Sequence, residues 1–217
     1  MVSALIGKSY SVCKTIIENY IKEGKRAVYI RRYAEEIQPK NIQTLFDPHI
    51  PLIKELTGGE WNSVFYRANE FRLAYYDDEE GKITKKDEIA FCTTRAVNTW
   101  ETTKGADLGH ISLICYDEFC TRQAYLKDEF ICLMNLISSI VRNRKDCIIY
   151  MLANTVNKYC PYWTEFGIEG VDKMTQGEIR VYEYHNKKMK LAIEYCSTSN
   201  TTSEVNENFF AFENAQL

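Results

Sequence analysis

The chain of 217 residues has no C-x-x-C pair and only three histidines, which lie far apart in sequence. No apolar stretch approaches the roughly 20 residues of a membrane span, and no secretory signal is visible. The eight cysteines fall at irregular positions: Cys13, Cys92, Cys115, Cys120, Cys132, Cys147, Cys160 and Cys196. That spacing excludes a zinc-finger pattern and a disulfide frame, and reads as reduced, buried thiols of a cytosolic protein. There is no basic excess either. The net charge is −3, which argues against a protein that coats nucleic acid but leaves room for a local basic rim. No internal repeat is present. Signs of global disorder are also missing, because 45% hydrophobic and 13% aromatic residues suffice for a substantial core. Only residues 197–208 are polar enough to be expected mobile. The length suits one domain with at most a small appendage.

What the sequence does have is a strand that ends in two acids. Ile111 to Tyr116 form an apolar run, followed by Asp117 and Glu118. Such a run bounded by charge predicts a strand buried on both faces. Two carboxylates at its C-terminal tip are costly unless something pairs with them, and in open α/β sheets that tip is where ligands bind. In P-loop NTPases the first acid holds Mg²⁺, directly or through water, and the second polarises an attacking water. The bland alternative is a core strand ending in a solvated acidic turn.

Near the N-terminus Gly7, Lys8 and Ser9 precede the amphipathic run from Tyr10 to Lys22. Glycine lets the backbone approach a phosphate, Lys8 can reach β and γ oxygens, and the Ser9 hydroxyl can ligate Mg²⁺. A helix starting here aims its N-terminus at the phosphates, so Gly7, Lys8, Ser9 and Tyr10 make the candidate nucleotide-binding run. Val12, Ile16 and Tyr20, with Ile17 and Ile21, give that helix an apolar face, and Gly24 ends it. One departure stands out. The phosphate loop G-x-x-x-x-G-K-[ST] places its first glycine at position 2, which is Val2, and Ser3, Ala4 and Leu5 supply no glycine. No strand precedes the loop. The expectation is either an N-terminally shortened product with a few substituted residues or a decayed site, with the cradle incomplete as written.

Along the rest of the chain, residues 27–32 read as a strand and 38–59 as mixed helix and loop. Residues 71–76 and 88–93 read as a hairpin through the polar turn 77–82, and 98–109 as a loop. Residues 128–142 carry Phe130, Leu133, Met134, Ile137, Ile140 and Val141 at helical spacing, and 147–153 form a buried strand ending in Asn154 and Thr155. Residues 179–184 and 189–195, joined by His185, Asn186 and Lys187, read as a second hairpin. The order helix, strand, insertion, strand, helix, strand fits a mainly parallel sheet flanked by helices.

With these pieces placed, the chain resembles the small podophage DNA encapsidation proteins, packaging ATPases related to terminase large subunits. The resemblance rests on IGKSYSV (6–12), AVYIRRYAEEI (27–37), ICYDEF (114–119), LMNLISSIVRNRKDCIIYMLANTVN (133–157) and YCPYW (159–163), in that order. It implies an ASCE-type P-loop NTPase fold with inserted and C-terminal β-hairpins, an ATPase domain over residues 1–196 and a mobile linker or tail over 197–217; in that family a nuclease-like C-terminal domain follows, and the expectation is that this sequence has no room for it. The resemblance also implies ATP hydrolysis with Mg²⁺, in a homomeric ring (a pentamer on the capsid) at the procapsid portal, driving double-stranded DNA inward. The place of action would be the cytoplasm of the infected bacterial host, with no membrane partner.

Residue by residue, Lys8 and Ser9 match the phosphate-loop lysine and metal-ligating hydroxyl, Asp117 the metal acid and Glu118 the catalytic glutamate. Arg142 matches the arginine offered to a neighbour's γ-phosphate, Asn154 and Thr155 the coupling motif, and Arg31 and Arg32 a basic pair. Bland alternatives stand beside these. Arg142 and Arg144 can be helix-end cations, Arg31 and Arg32 a solvated rim, Asn154 and Thr155 a simple turn, and Trp61, Trp100 and Trp163 packing residues. A small-molecule kinase or a nucleotide-dead assembly module are the rival functions.

Overall fold

The computed structural model describes residues 7–103, 108–142, 144, 146–154, 159–184 and 189–196. It divides into two units, Gly7–Glu169 and a second whose described part begins at Gly170. In the first unit the elements follow as α1 (Lys8–Glu23), β1 (Arg26–Arg31), α2 (Pro39–Ile42), α3 (Ile50–Leu56), β2 (Ser63–Arg67), β3 (Glu70–Asp77), β4 (Lys82–Lys86), β5 (Cys92–Ala96), β6 (Ile111–Asp117), α4 (Glu129–Val141), β7 (Ile148–Leu152) and α5 (Pro161–Glu165). The sheet order is β2-β3-β5-β1-β6-β7, with β4 paired to β3. β5, β1, β6 and β7 run parallel, and β2, β3 and β4 add an antiparallel flank.

Strand alternation explains the two cores. Ala27 and Tyr29 of β1 and Leu113 and Cys115 of β6 pack with Val12, Cys13, Ile16 and Ile17 of α1 on one face. Val28, Ile30, Ile114 and Tyr116 pack with Leu133, Leu136, Ile137 and Ile140 of α4 on the other. Side chains of successive strand residues point to opposite faces, so each inner strand feeds both helix layers. All seven residues of β6 are buried, as its apolar run predicts. α1 ends where Gly24 takes φ 66°, donating its N–H to the last carbonyls, a turn that glycine makes without strain.

Several expectations are corrected. The hairpin through residues 77–82 exists, but its return strand is β4, not residues 88–93. Residues 92–96 instead enter the parallel sheet as β5. β4 is nearly all exposed, so it carries no apolar pattern to read. β2 has no counterpart in the sequence reading, and 3-10 helix with a break at Thr99 runs from Val97 to Thr103, into the expected loop. β7, expected as a buried strand, lies at the edge of the sheet and exposes Ile148, Ile149 and Tyr150. Of the cysteines, Cys132, Cys147 and Cys196 are half-buried, whereas the other five are buried. In the second unit β8 (Ile179–Tyr184) pairs antiparallel with β9 (Met189–Glu194). Residues 1–5, 185–187 and 197–217 lie outside the described residues. Among the described residues no helix is long and apolar enough to cross a membrane.

The α1-side core centres on Phe46, Phe71 and Phe91, with ring centroids 4.8 Å (Phe46–Phe71) and 4.9 Å (Phe46–Phe91) apart, all fully buried. Phe91→Ala is expected to cost about 3–5 kcal/mol in urea unfolding; a loss under about 1 kcal/mol would show that this cluster does not support the sheet.

Candidate functional site

β1 and β6 are parallel neighbours with Tyr29 opposite Cys115, so their C-terminal tips lie side by side. Residues Tyr29, Arg31, Cys115 and Asp117 share the α1 face by alternation. Asp117, 7% exposed, is the centre of the site. Its Oδ2 accepts from Ser9 Oγ at 2.9 Å, across 108 residues of sequence, and from the Tyr29 hydroxyl. Arg31 Nη1 lies 3.7 Å from the same oxygen, and Oδ1 accepts the Glu118 N–H at 3.0 Å. Burial, and then the Asp117 charge, push the Tyr29 phenol well above its usual value, so it stays a donor.

Glu118 turns the chain sharply at φ 58°, a left-handed conformation unusual for a residue with a side chain. Its carboxylate is half-exposed and paired with Arg31 Nη2 at 2.8 Å. Arg31 is also held by Glu36 Oε1 at 2.6 Å. Burial works against its charge, but the Glu36 hydrogen bond and the Glu118 and Glu36 carboxylates outweigh it and hold the guanidinium above its ordinary value. A cleft of about 390 Å³ opens onto this cluster, lined by Tyr29, Arg31, Glu36, Asn41, Thr44 and Asp117 among others.

Arg32 corrects the expectation of a basic rim. It is 6% exposed and faces the other side of the sheet, paired with Glu129 at 2.9 Å. Glu129, in the first turn of α4, also accepts the hydroxyls of Tyr116 and Tyr162. Sequence reasoning missed Tyr29, Glu36, Glu129 and Tyr162. The available signals were an acid opening an otherwise apolar helix and the tyrosine of YCPYW.

At the other end of the site, Gly7 precedes α1 in a left-handed turn, φ 64°. Lys8 opens the helix and, among the described residues, pairs with no carboxylate. The first turn of α1 contains no acid of its own and no side chain caps it; the carboxylate nearest its positive dipole end is Asp117, through Ser9. Tyr10 is exposed, its ring 4.2 Å from that of His49. Asn154 is exposed just past β7, whose Leu152 pairs with Asp117 and accepts the Phe119 N–H; Thr155 lies outside the described residues. The three tryptophans pack against the two cores, Trp61 on the α1 side and Trp100 and Trp163 on the α4 side.

Arg142 and Arg144 part company. Arg144 donates to the carbonyls of Val141 and Ile140 and, at 2.6 Å, of Gly109, so it is the cation that closes α4. Arg142 is exposed at φ 53° and, among the described residues, its side chain makes no hydrogen bond or ion pair. α4 has 13 residues, which places Arg142 ~20 Å along the helix from Glu129. Arg142 is therefore not brought together with Ser9, Asp117 and Glu118 of its own chain.

The donor set suits a hard cation shared with phosphates. Ser9 and Asp117 offer only oxygens, and Mg²⁺ is commonly held by one or two protein groups plus phosphate and water. A lysine and a bare helix N-terminus beside them suit the anion. Tyr29→Phe removes one donor from a buried carboxylate and is expected to lower stability by about 1.5–3 kcal/mol. Chemical denaturation checks this; an unchanged midpoint would mean that the bond does not hold in solution.

Comparison with known proteins bears on the family and the fold. The DNA packaging protein of Bacillus phage B103 is 26% identical over 166 residues, 75% of this chain and 45% of that protein. That of Bacillus phage phi29 is 25% identical over 171 residues, 75% of this chain and 44% of that protein. The chain thus spans less than half the length of these relatives. The N-terminal domain of the DNA packaging ATPase from bacteriophage phi29 superposes with a TM-score of 0.64 at 23% identity, covering 82% of this chain and 81% of that one. The chain matched in the phi29 viral genome packaging motor assembly gives 0.61 at 21% identity, covering 88% and 52%. These likenesses place the fold among packaging ATPase domains, with a mostly parallel central sheet. Residues 2–204 match the description "Podovirus DNA encapsidation protein (Gp16)", and the chain belongs to that family.

Proposed function

We propose that this chain is the ATPase part of a DNA-packaging motor, hydrolysing ATP to move double-stranded DNA into a procapsid. The observation that carries the reading is the 2.9 Å contact between Ser9 and Asp117, which joins the lysine-bearing helix start to the acidic strand tip. Lys8 and the N-terminus of α1 would hold the β and γ phosphates, with Gly7 and Tyr10 beside them. Ser9 and Asp117 would hold Mg²⁺, which neutralises phosphate charge when bound. Glu118 orients the attacking water and takes its proton. Its 2.8 Å pair with Arg31 ties up the carboxylate needed for that task, so turnover requires the pair to open. Asn154, exposed just past β7, would with Thr155 pass the state of the site to the rest of the motor.

The working unit is a homomeric ring, a pentamer at the portal, in the host cytoplasm. Arg142 serves a neighbour in this ring. Its exposure and its position at the far end of α4 from Glu129 support an arginine offered across a subunit boundary. The planar guanidinium suits a developing phosphoryl charge.

In the full-length protein, DNA-stimulated ATP hydrolysis is expected. Glu118→Gln should abolish turnover and keep nucleotide binding, because it removes only the group acting on water. Asp117→Asn should weaken Mg²⁺-dependent binding by roughly tenfold, about 1.4 kcal/mol. Equal binding losses in a titration with a labelled ATP analogue would overturn the assignment of roles.

Mixing tests the arginine. Arg142→Ala subunits keep a complete phosphate site, and Glu118→Gln subunits keep the arginine. Assembled rings containing both inactive variants should recover part of the hydrolysis, because an arginine can contribute on the order of 10³–10⁵ in rate. No recovery in assembled rings, or an active Arg142→Ala protein, would remove Arg142 from the site.

A further inference from the structure

We propose that Arg32, clamped by Glu129, is a positioning residue that holds the turn bearing Glu118 in its working shape. The proposal rests on the reading of Glu118 given above. Arg31 and Arg32 are adjacent, but strand alternation sends them to opposite faces. Arg31 joins Tyr29 and Asp117, where phosphates would lie. Arg32 joins Tyr116 and the N-terminus of α4, behind the sheet. From there it cannot touch a nucleotide on the α1 side, so any part it plays in turnover acts through other groups.

Each of its three nitrogens makes a hydrogen bond. Nε bonds Glu129 Oε2 at 2.9 Å, Nη1 bonds the Glu118 carbonyl at 3.2 Å, and Nη2 bonds the Phe119 carbonyl at 2.7 Å. A rigid planar fork that grips two successive carbonyls fixes the peptide between them. That peptide follows Glu118, whose left-handed backbone persists only if its surroundings impose it. The Glu129 carboxylate, 1% exposed, is satisfied in turn. It accepts Tyr116 and Tyr162 hydroxyls at 2.8 Å each and the Leu126 N–H at 2.9 Å. A buried ion pair is a poor device for stability alone, since a well-packed apolar pair often does as well. A charge pair whose two terminal nitrogens both bond one turn is suited to holding that turn.

The test uses Arg32→Lys in the full-length protein, at a temperature where the variant is folded. Lysine keeps the charge opposite Glu129 but lacks the fork. Two quantities are read: steady-state ATP hydrolysis, and amide hydrogen exchange at Phe119, whose N–H bonds the Leu152 carbonyl at 3.1 Å. The expected result is a kcat lower by roughly tenfold, about 1.4 kcal/mol of barrier, with KM for ATP little changed. Exchange at Phe119 should quicken while amides directed from β1 to the β5 side, such as Ala27, whose N–H bonds the Phe91 carbonyl at 2.9 Å, keep their protection. A role in stability alone would speed core amides together and leave kcat per folded molecule intact, and that result would overturn the proposal. Should Arg32→Lys not fold, Tyr162→Phe withdraws one donor from Glu129 and is expected to act in the same direction, more weakly. If the wild-type protein does not hydrolyse ATP, the functional reading fails, while exchange at Phe119 still decides whether the clamp holds the turn.

Discussion

Asp117 is a carboxylate at the end of a strand buried along its whole length, and a charge in that position is tolerated only if it is paired and hydrogen-bonded. Its partners come from three separate places: Ser9 at the start of α1, Tyr29 within β1, and Arg31 at the tip of β1. Satisfying this one group therefore brings the helix start, the neighbouring strand and the acidic turn together. It also assembles an oxygen pair, a lysine and a helix N-terminus in one place. The same arrangement stabilises the fold and prepares the site.

The sheet gives the tips of β1 and β6 two sides with separate tasks. On the α1 side, Ser9, Arg31, Asp117 and Glu118 form the chemical cluster. On the α4 side, Arg32, Tyr116, Glu129 and Tyr162 form a buried network with no exposed charge. The carbonyls of Glu118 and Phe119 are where the two meet. α4 runs from that network to the exposed Arg142, so one helix connects a subunit's own acidic turn to the group it would lend its neighbour.

Much of this was legible in the sequence, and the limits have physical causes. α1, β1, β6 and α4 follow from periodicity, because each buries a face or two; β7 and the β8–β9 hairpin form as strands at the expected places, but β7 exposes Ile148, Ile149 and Tyr150 and β8 exposes Ile179 and Val181, so their apolar residues give the element and not its burial. β4 does not follow from periodicity, since a solvated edge strand of lysines leaves no pattern. Residue type and resemblance assign Ser9 and Asp117 to one expected metal site; the hydrogen bond between them, across 108 residues of chain, is visible only in the structure. Arg32 was misjudged because adjacent arginines look alike in sequence, and the face each adopts depends on where the strand ends. Glu129 was invisible for the same reason: its partners lie 97, 13 and 33 residues away in the chain. For the arginines near residue 142, sequence left capping and catalysis open for both. The structure gives the capping bonds to Arg144 and leaves Arg142 exposed.

The central claim is that Ser9 and Asp117 together receive Mg²⁺ with a nucleotide whose phosphates lie at the start of α1. A crystal structure of the protein with Mg²⁺ and a non-hydrolysable ATP analogue tests it most directly. The cation is expected beside Ser9 Oγ, held by Asp117 directly or through water, with Lys8 on the phosphates. An analogue bound away from the N-terminus of α1, or a cation that avoids both Ser9 and Asp117, would contradict it.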